Sequence, residues 1–394
     1  MSAVDEVVIV AAKRTPIGSM LGCLSGFTAP ELGAFAIQGA LDEAGTPYSE
    51  IDEIYMGNVV SAGQKQAPAR QAALIAGVPD SVPCTTISKV CGSSMKAIML
   101  ARDQILAGNA DVVLAGGMES MSAAPYLMTK ARSGMRLGHG ELLDSLFVDG
   151  LEDAESGRLM GSYAQEVADR FNYSREDMDA YALESLNRAI VTTKHGEFEN
   201  EIHPLTLRKL GVEETLSIDE LPQKARPEKI ATLKPAFKPG GTVTAANSSS
   251  MSDGGAALLL MRESRADEMA CTKFARIVAQ ATHAQRPEEF CLTPIGAIRQ
   301  VCDRANWSVQ DIDLFEINEA FAVVPMLAID QLELDRSKVN IRGGACALGH
   351  PLGASGARIA VTLIHALQQT GKRRGLATIC IGGGEATAIA VELA

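Results

Sequence analysis

The stretch Ala36-Ile37-Gln38-Gly39-Ala40-Leu41-Asp42-Glu43-Ala44, continued after a turn by Ile51-Asp52-Glu53-Ile54-Tyr55-Met56-Gly57, occurs twice. Residues 36–57 lie without gaps on 297–318, so position 36 falls on 297, an offset of 261. Ala36/Ala297, Ile37/Ile298, Asp42/Asp303, Ala44/Ala305, Ile51/Ile312 and Asp52/Asp313 are identical. Each copy reads as an amphipathic helix, a short acidic turn and a strand. The same offset lays Gly92-Ser93-Ser94-Met95 on Gly353-Ala354-Ser355-Gly356, each opening a helix. Slightly later, the apolar run from Asp111 to Gly117, ending in Gly-Gly, is matched to Leu376–Gly384. A matching order of elements across both halves predicts a duplicated α/β domain. Strands alternating with helices imply mostly parallel sheets covered by helices, the two halves packing as a layered pseudo-dimer.

The chain has 394 residues, enough for two or three domains. Hydrophobic content of 46% and charged content of 21% are those of a folded, water-soluble chain. A net charge of −12 removes the global basic footprint that nucleic acid requires. An anionic ligand would need a local basic patch or helix N-termini. The eight cysteines show no CxxC spacing, which argues against a zinc site or a disulfide framework and for a reducing, cytoplasmic compartment. The N-terminus, Val4–Ala12, reads as a strand and not as a signal peptide. No apolar stretch approaches a membrane span, and Val391-Glu392-Leu393-Ala394 is not a peroxisomal address.

We read residues 1–119 with about 245–270 as the first half, 120–244 as an inserted loop domain and 271–394 as the second half. The insertion holds a helical stretch near Ser174–His195, then a long irregular region with Pro204, Pro222, Pro227, Pro235 and Pro239. Its basic residues (Lys209, Lys224, Arg226, Lys229, Lys234, Lys238) alternate with acids, as on a solvated face or a cover for a phosphate-bearing ligand.

Three chemical groups sit in Gly-rich turns after apolar runs. Cys91 stands in Lys89-Val90-Cys91-Gly92-Ser93, at the start of a helix whose dipole favours thiolate. His350 stands in Gly349-His350-Pro351-Leu352-Gly353, a stiff turn with space around the ring. Cys380 ends Ala377-Thr378-Ile379, and Gly382-Gly383-Gly384 offers unobstructed N–H groups for an oxyanion. Cys346 is its rival. A Cys–His pair suffices for covalent acyl transfer. A second thiol can act as base towards a carbon acid, so one site could make or break a carbon–carbon bond beside a carbonyl. Asn318, at the end of the second repeated strand, can hold a water.

These blocks, with Asn318-Glu319-Ala320-Phe321, Gly116-Gly117-Met118-Glu119-Ser120 and Gly241-Thr242-Val243-Thr244-Ala245-Ala246-Asn247, resemble the signature blocks of the thiolase family, from Val7 to the C-terminus in order and spacing. The resemblance implies the duplicated αβαβα fold with an inserted loop domain. It implies an acyltransferase of the acetyl-CoA C-acetyltransferase type, reversibly condensing two acetyl-CoA through an acyl-cysteine. Cys91 would carry the acyl group and Cys380 would handle the α-proton. His350, with a water on Asn318, would stabilise the thioester oxyanion; the Cys91 and Gly382 N–H groups would form a second oxyanion hole. Ser249 would lie near the pantetheine, Phe237, Ala245 and Phe321 along its tunnel, and Met160 in the acyl pocket. No cofactor is implied, coenzyme A being a substrate and product; partners would be acyl-CoA and CoA, neither nucleic acid nor membrane, in a homotetramer or homodimer.

The alternatives are a degradative 3-ketoacyl-CoA thiolase of broader chain length and, more remotely, a non-catalytic acyl-CoA-binding protein. Related decarboxylating synthases typically use Cys-His-His, against which Cys380 argues. The chain departs from many members in three places: Leu159 before Met160 where a His is common, Ser250 after Ser249, and Phe290 where short-chain enzymes often have Met. The first and last make the acyl pocket more apolar.

Overall fold

The structure, a computed structural model, describes residues 6–209 and 212–394. The strand expected from Val4 begins at Val7; Val4 itself, like the side chain of Lys209, lies outside the described residues.

Among the described residues nine longer strands form the body, β1 (Val7–Arg14), β2 (Glu53–Gly57), β3 (Cys84–Ile87), β4 (Val112–Ser120), β5 (Ser252–Arg262), β6 (Ala275–Ala284), β7 (Leu314–Ile317), β8 (Arg374–Ile381) and β9 (Glu385–Leu393), with the two-residue strand Gly18–Ser19 paired to the start of β5. In the first half the order is β3-β2-β4-β5-β1, with β2 parallel to both neighbours and β5 antiparallel to β4 and β1. The second half repeats it as β7-β8-β9-β6, β7 and β8 being parallel. A lone bridge from Phe315 to Val339 stands where β3 would be. The two sheets join edge to edge through Val8–Arg276 and Ile9–Ala275.

The helices fall into three layers. We label α1 (Ala29–Ala44), α2 (Pro68–Ala76), α3 (Ser93–Leu106), α4 (Met160–Arg170), α5 (Arg175–Lys194), α6 (Thr293–Ala305), α7 (Val323–Leu332) and α8 (Ser355–Thr370). Helices α1 and α2 cover the outer face of the first sheet, α6 and α7 that of the second. Between the sheets lie α3 and α8, so the layers run helix, sheet, helix, sheet, helix. Covered on both sides, α8 is buried continuously from Ser355 to Leu367, which explains why its sequence lacks a clean polar stripe. Its small residues permit close approach: a Cβ on Gly356 would lie 2.6 Å from Met95 N.

Two expectations change. Ile54 pairs with Leu114, and its counterpart Phe315 with Leu376, so Leu114 and not Asp111 corresponds to Leu376. Gly116 and Gly117 also lie inside β4 and do not end it. Their reason is crowding: a Cβ would come within 2.1 Å of Ala256 O or 2.0 Å of Gly353 O. In the insertion, α5 appears where a helix was read, with Ser174 as N-cap in a reciprocal capping box with Asp177. The irregular remainder contains more order than its prolines suggested. Helix α4 precedes it, and the hairpin Leu205–Lys209/Val212–Leu216 and a short helix, Glu220–Lys224, lie within it. Among the described residues no helix is long and apolar enough to cross a membrane.

Candidate active site

Cys91 sits in the sharp turn between β3 and α3. Val90 adopts φ +44°, a conformation a β-branched residue avoids at a cost of about 1–3 kcal/mol. Ser93 holds the turn by donating from Oγ to Val90 O (2.6 Å) and accepting from Lys89 N (2.8 Å). Lys89 is paired with Glu385. The backbone N–H groups of Cys91 and Gly382 lie against the Cys91 sulfur and favour its charged form, but burial outweighs them and pushes the thiol up to about 11. This corrects the expectation of a thiolate: the two backbone donors do not offset the lost solvation, so the resting group is a thiol.

Cys380, near the end of β8, is buried beside Cys91. Burial first, then the neighbouring Cys91 sulfur, raises it well above the usual thiol range. Gly383 and Gly384 then turn the chain through φ +92° and +86°, and a Cβ on Gly384 would strike Gln285 O at 2.5 Å.

His350 follows Gly349, whose φ of +105° and whose closeness to Ser252 Oγ (2.1 Å from an added Cβ) require glycine. The His350 backbone N–H donates to Ser250 O (3.0 Å), and Nδ1 lies 2.5 Å from Ser355 Oγ. Among the described residues Nε2 has no hydrogen-bond partner. Burial, then repulsion from Arg358, lowers the imidazole to about 3, so it is neutral at pH 7. The following Gly353 N–H donates to the buried Glu119 carboxylate (2.8 Å), which also accepts from Asn58 Nδ2, Val59 N and Val60 N. Burial pushes Glu119 up to about 7 against these donors. Glu119 thus ties the histidine turn to the first half, a task its place in the Gly116–Ser120 block did not reveal.

Cys91, His350, Cys380 and Gly382 line one cavity of about 550 Å³. Leu159, Met160, Phe290 and Leu352 line it as well, as do Phe237, Ala245, Ser249 and Phe321. Phe321 is the centre of an aromatic wall, meeting Phe237 and Phe290 edge to face at 6.2 and 6.0 Å. Phe237 lies over Gly161, where a Cβ would be 2.1 Å from the ring. Asn318 is not on the lining. It is buried, and among the described residues neither its Oδ1 nor its Nδ2 has a hydrogen-bond partner. The Asn318 amide and His350 Nε2 are each buried polar groups of the kind that ordered water satisfies. Cys346 opens instead onto an adjoining cavity, which shares Leu221, Ala245 and Ser250 with the first and carries Lys224, Arg226 and Lys229. Lys238 faces outward and pairs with Asp169.

The site therefore offers two adjacent buried thiols, a neutral imidazole with a free nitrogen, backbone donors at one sulfur, and a long apolar mouth leading to basic residues. The same chain matches the family description "Thiolase, N-terminal domain" over residues 7–264 and "Thiolase, C-terminal domain" over 271–393. It is 45% identical to an acetyl-CoA acetyltransferase of Cupriavidus necator, covering 98% of this chain and 99% of that one. It is 47% identical to the human mitochondrial acetyl-CoA acetyltransferase, covering 98% and 90%. The crystal structure of the Bacillus anthracis acetyl-CoA acetyltransferase superposes with a TM-score of 0.97 at 40% identity, and that of human mitochondrial 3-ketoacyl-CoA thiolase with 0.96 at 38%, each covering both chains entirely. With both halves matched, and the duplicated fold and cavity in place, the chain belongs to the thiolase family.

Proposed function

We propose that the protein is an acetyl-CoA C-acetyltransferase, converting two acetyl-CoA to acetoacetyl-CoA and CoA and catalysing the reverse thiolysis. The observation that carries this reading is the meeting of Cys91, Cys380 and His350 on one cavity. In the synthetic direction His350 Nε2 takes the Cys91 proton as the sulfur attacks acetyl-CoA. The departing CoA thiolate takes the Cys380 proton and leaves as CoA. Cys380 is then a thiolate in a site that disfavours charge, hence a strong base, and removes the α-proton of a second acetyl-CoA. The enolate attacks the acetyl-cysteine, and the expelled Cys91 thiolate recovers its proton from His350. Each oxyanion is given a cradle: His350 and a water on Asn318 for one, the Cys91 and Gly382 N–H groups for the other.

Pantetheine runs along Phe237, Phe321, Ala245 and Ser249, and the acyl end rests against Met160, Leu159 and Phe290. The phosphates face Lys224, Arg226 and Lys229 in the adjoining cavity. The scheme requires no cofactor. We keep the units read from the sequence, 120–244 acting as the cover for CoA, and place the protein in the cytoplasm as a homotetramer or homodimer; its eight free thiols suit a reducing compartment. A broader chain-length thiolase is the weaker reading, since relatives at 45–47% identity carry the acetyltransferase name.

Exchange of labelled CoA into acetyl-CoA tests the acyl-enzyme. Thiolysis of acetoacetyl-CoA compared with longer 3-ketoacyl-CoA tests the substrate. Absence of exchange overturns the enzyme; faster turnover of six-carbon and longer substrates overturns the acetyl preference.

A further inference from the structure

We propose that Ser355 is the positioning residue that fixes the tautomer of His350, leaving Nε2 as the free base. The inference rests on the function proposed above and goes beyond it. Ser355 Oγ has two neighbours, Pro351 O at 2.8 Å and His350 Nδ1 at 2.5 Å. In the 2.8 Å contact the hydroxyl donates to Pro351 O, a carbonyl that only accepts and that also takes the Ala354 and Ser355 backbone N–H groups. Towards the imidazole the oxygen is then an acceptor, and Nδ1 must carry the ring proton. With the imidazole neutral, Nε2 holds a bare lone pair. That nitrogen is buried and has no partner among the described residues. The opposite tautomer would place two lone pairs face to face at Ser355 or break the bond to Pro351, and would leave an N–H where Cys91 must give up its proton.

The repeat shows that this hydroxyl is not needed merely to start the helix. Ser94 occupies the equivalent place on α3, and its Oγ accepts from Ala357 N (2.9 Å), joining the two central helices at their first turns. Ser355 is instead turned back to its own loop and the histidine. Pro351 supplies a rigid carbonyl. Arg358 is the charged neighbour of the ring and disfavours imidazolium, so the choice between neutral tautomers falls to Ser355.

The test compares the parent with Ser355→Ala, Ser355→Thr, His350→Asn and the double variant Ser355→Ala/His350→Asn. Partners that orient functional imidazoles typically matter by about 10–100-fold, as at metal-bound histidines. We expect kcat of Ser355→Ala to fall by that factor with KM unchanged, Ser355→Thr to recover most of it, and the double variant to match His350→Asn alone. Side-chain nitrogen NMR of the six histidines, with His350 assigned by its loss in His350→Asn, should show a protonated Nδ1 and a bare Nε2 in the parent, and a mixture in Ser355→Ala. A parent ring protonated at Nε2 overturns the proposal, as does a Ser355→Ala kcat within twofold of the parent, or an equal loss in the His350→Asn background. An active, His350-dependent parent with any of those results sinks this inference alone; a parent without CoA exchange sinks the function, while the NMR signature still decides the tautomer.

Discussion

The two central helices are copies of one element, yet the turns before them carry different chemistry. At the offset of 261, Lys89 stands against His350 and Cys91 against Leu352. The first turn presents a thiol and spends its lysine on Glu385. The second presents an imidazole, and its Leu352 forms apolar wall. Both helices begin at the same place, joined through Ser94 and Ala357, so both positive dipole ends converge. The lesson is a division of labour. The repeat has two equivalent helix starts, and different residues at two turn positions give one a thiol and the other an imidazole.

The strongest way to break that division is to remove Cys91, the proposed nucleophile. Cys91→Ala should lose thiolysis by at least about 10³-fold, and radiolabelled acetyl-CoA should no longer label the protein. Label persisting at Cys380 or Cys346 would reassign the roles. Next, Cys380→Ser should lower turnover by roughly 10²–10³-fold while Cys91 still accepts label, because serine is a much weaker acid and base partner at neutral pH. Near-normal condensation would show that Cys380 does not move the α-proton.

The inserted segment sharpens the comparison on a smaller scale, since it supplies walls and no reacting group. Gly161→Ala drives a methyl into the Phe237 ring, an overpacking worth about 1–3 kcal/mol. It should raise KM for acyl-CoA, or lower Tm, more than it lowers kcat; a pure loss of kcat would mean that α4 positions the chemistry directly. Leu159→His should shift the kcat/KM ratio towards acetoacetyl-CoA over 3-ketohexanoyl-CoA by about tenfold or less, the scale of one methylene in an apolar pocket. An unchanged ratio would remove Leu159 from the acyl wall.

The smallest expected effect is none. His350 titrates near 3, well below the ordinary 6.5, so its base form is present above that depressed value and lost only as the pH falls through it. The rate of Cys91 acetylation should therefore show no inflection near pH 6.5. An inflection there would mean that the ring is far better solvated than its burial implies.

Much of this was legible in the chain itself. Duplication, the α/β class, and the Cys91, His350 and Cys380 turns follow from local pattern, because helix period, strand length and glycine's conformational freedom act over a few residues. Asp111–Gly117 and Leu376–Gly384 do belong to equivalent strands, but the register between them failed for the opposite reason. Gly116 and Gly117 answer to Ala256 and Gly353, far away in sequence, and not to a local turn. The order inside the insertion was hidden because it rests on packing against the body: Leu205 and Leu216 of the hairpin meet Leu24 and Leu32, and α4 joins the core of the second half.

The sequence alone determined which groups the site would contain. Only the tertiary structure decided their state. Burial between two sheets made Cys91 a thiol and His350 a neutral ring, and it left the Asn318 amide without a partner among the described residues. Solvation and hydrogen bonding depend on everything within a few ångströms, most of it distant in the chain, and no local motif records that.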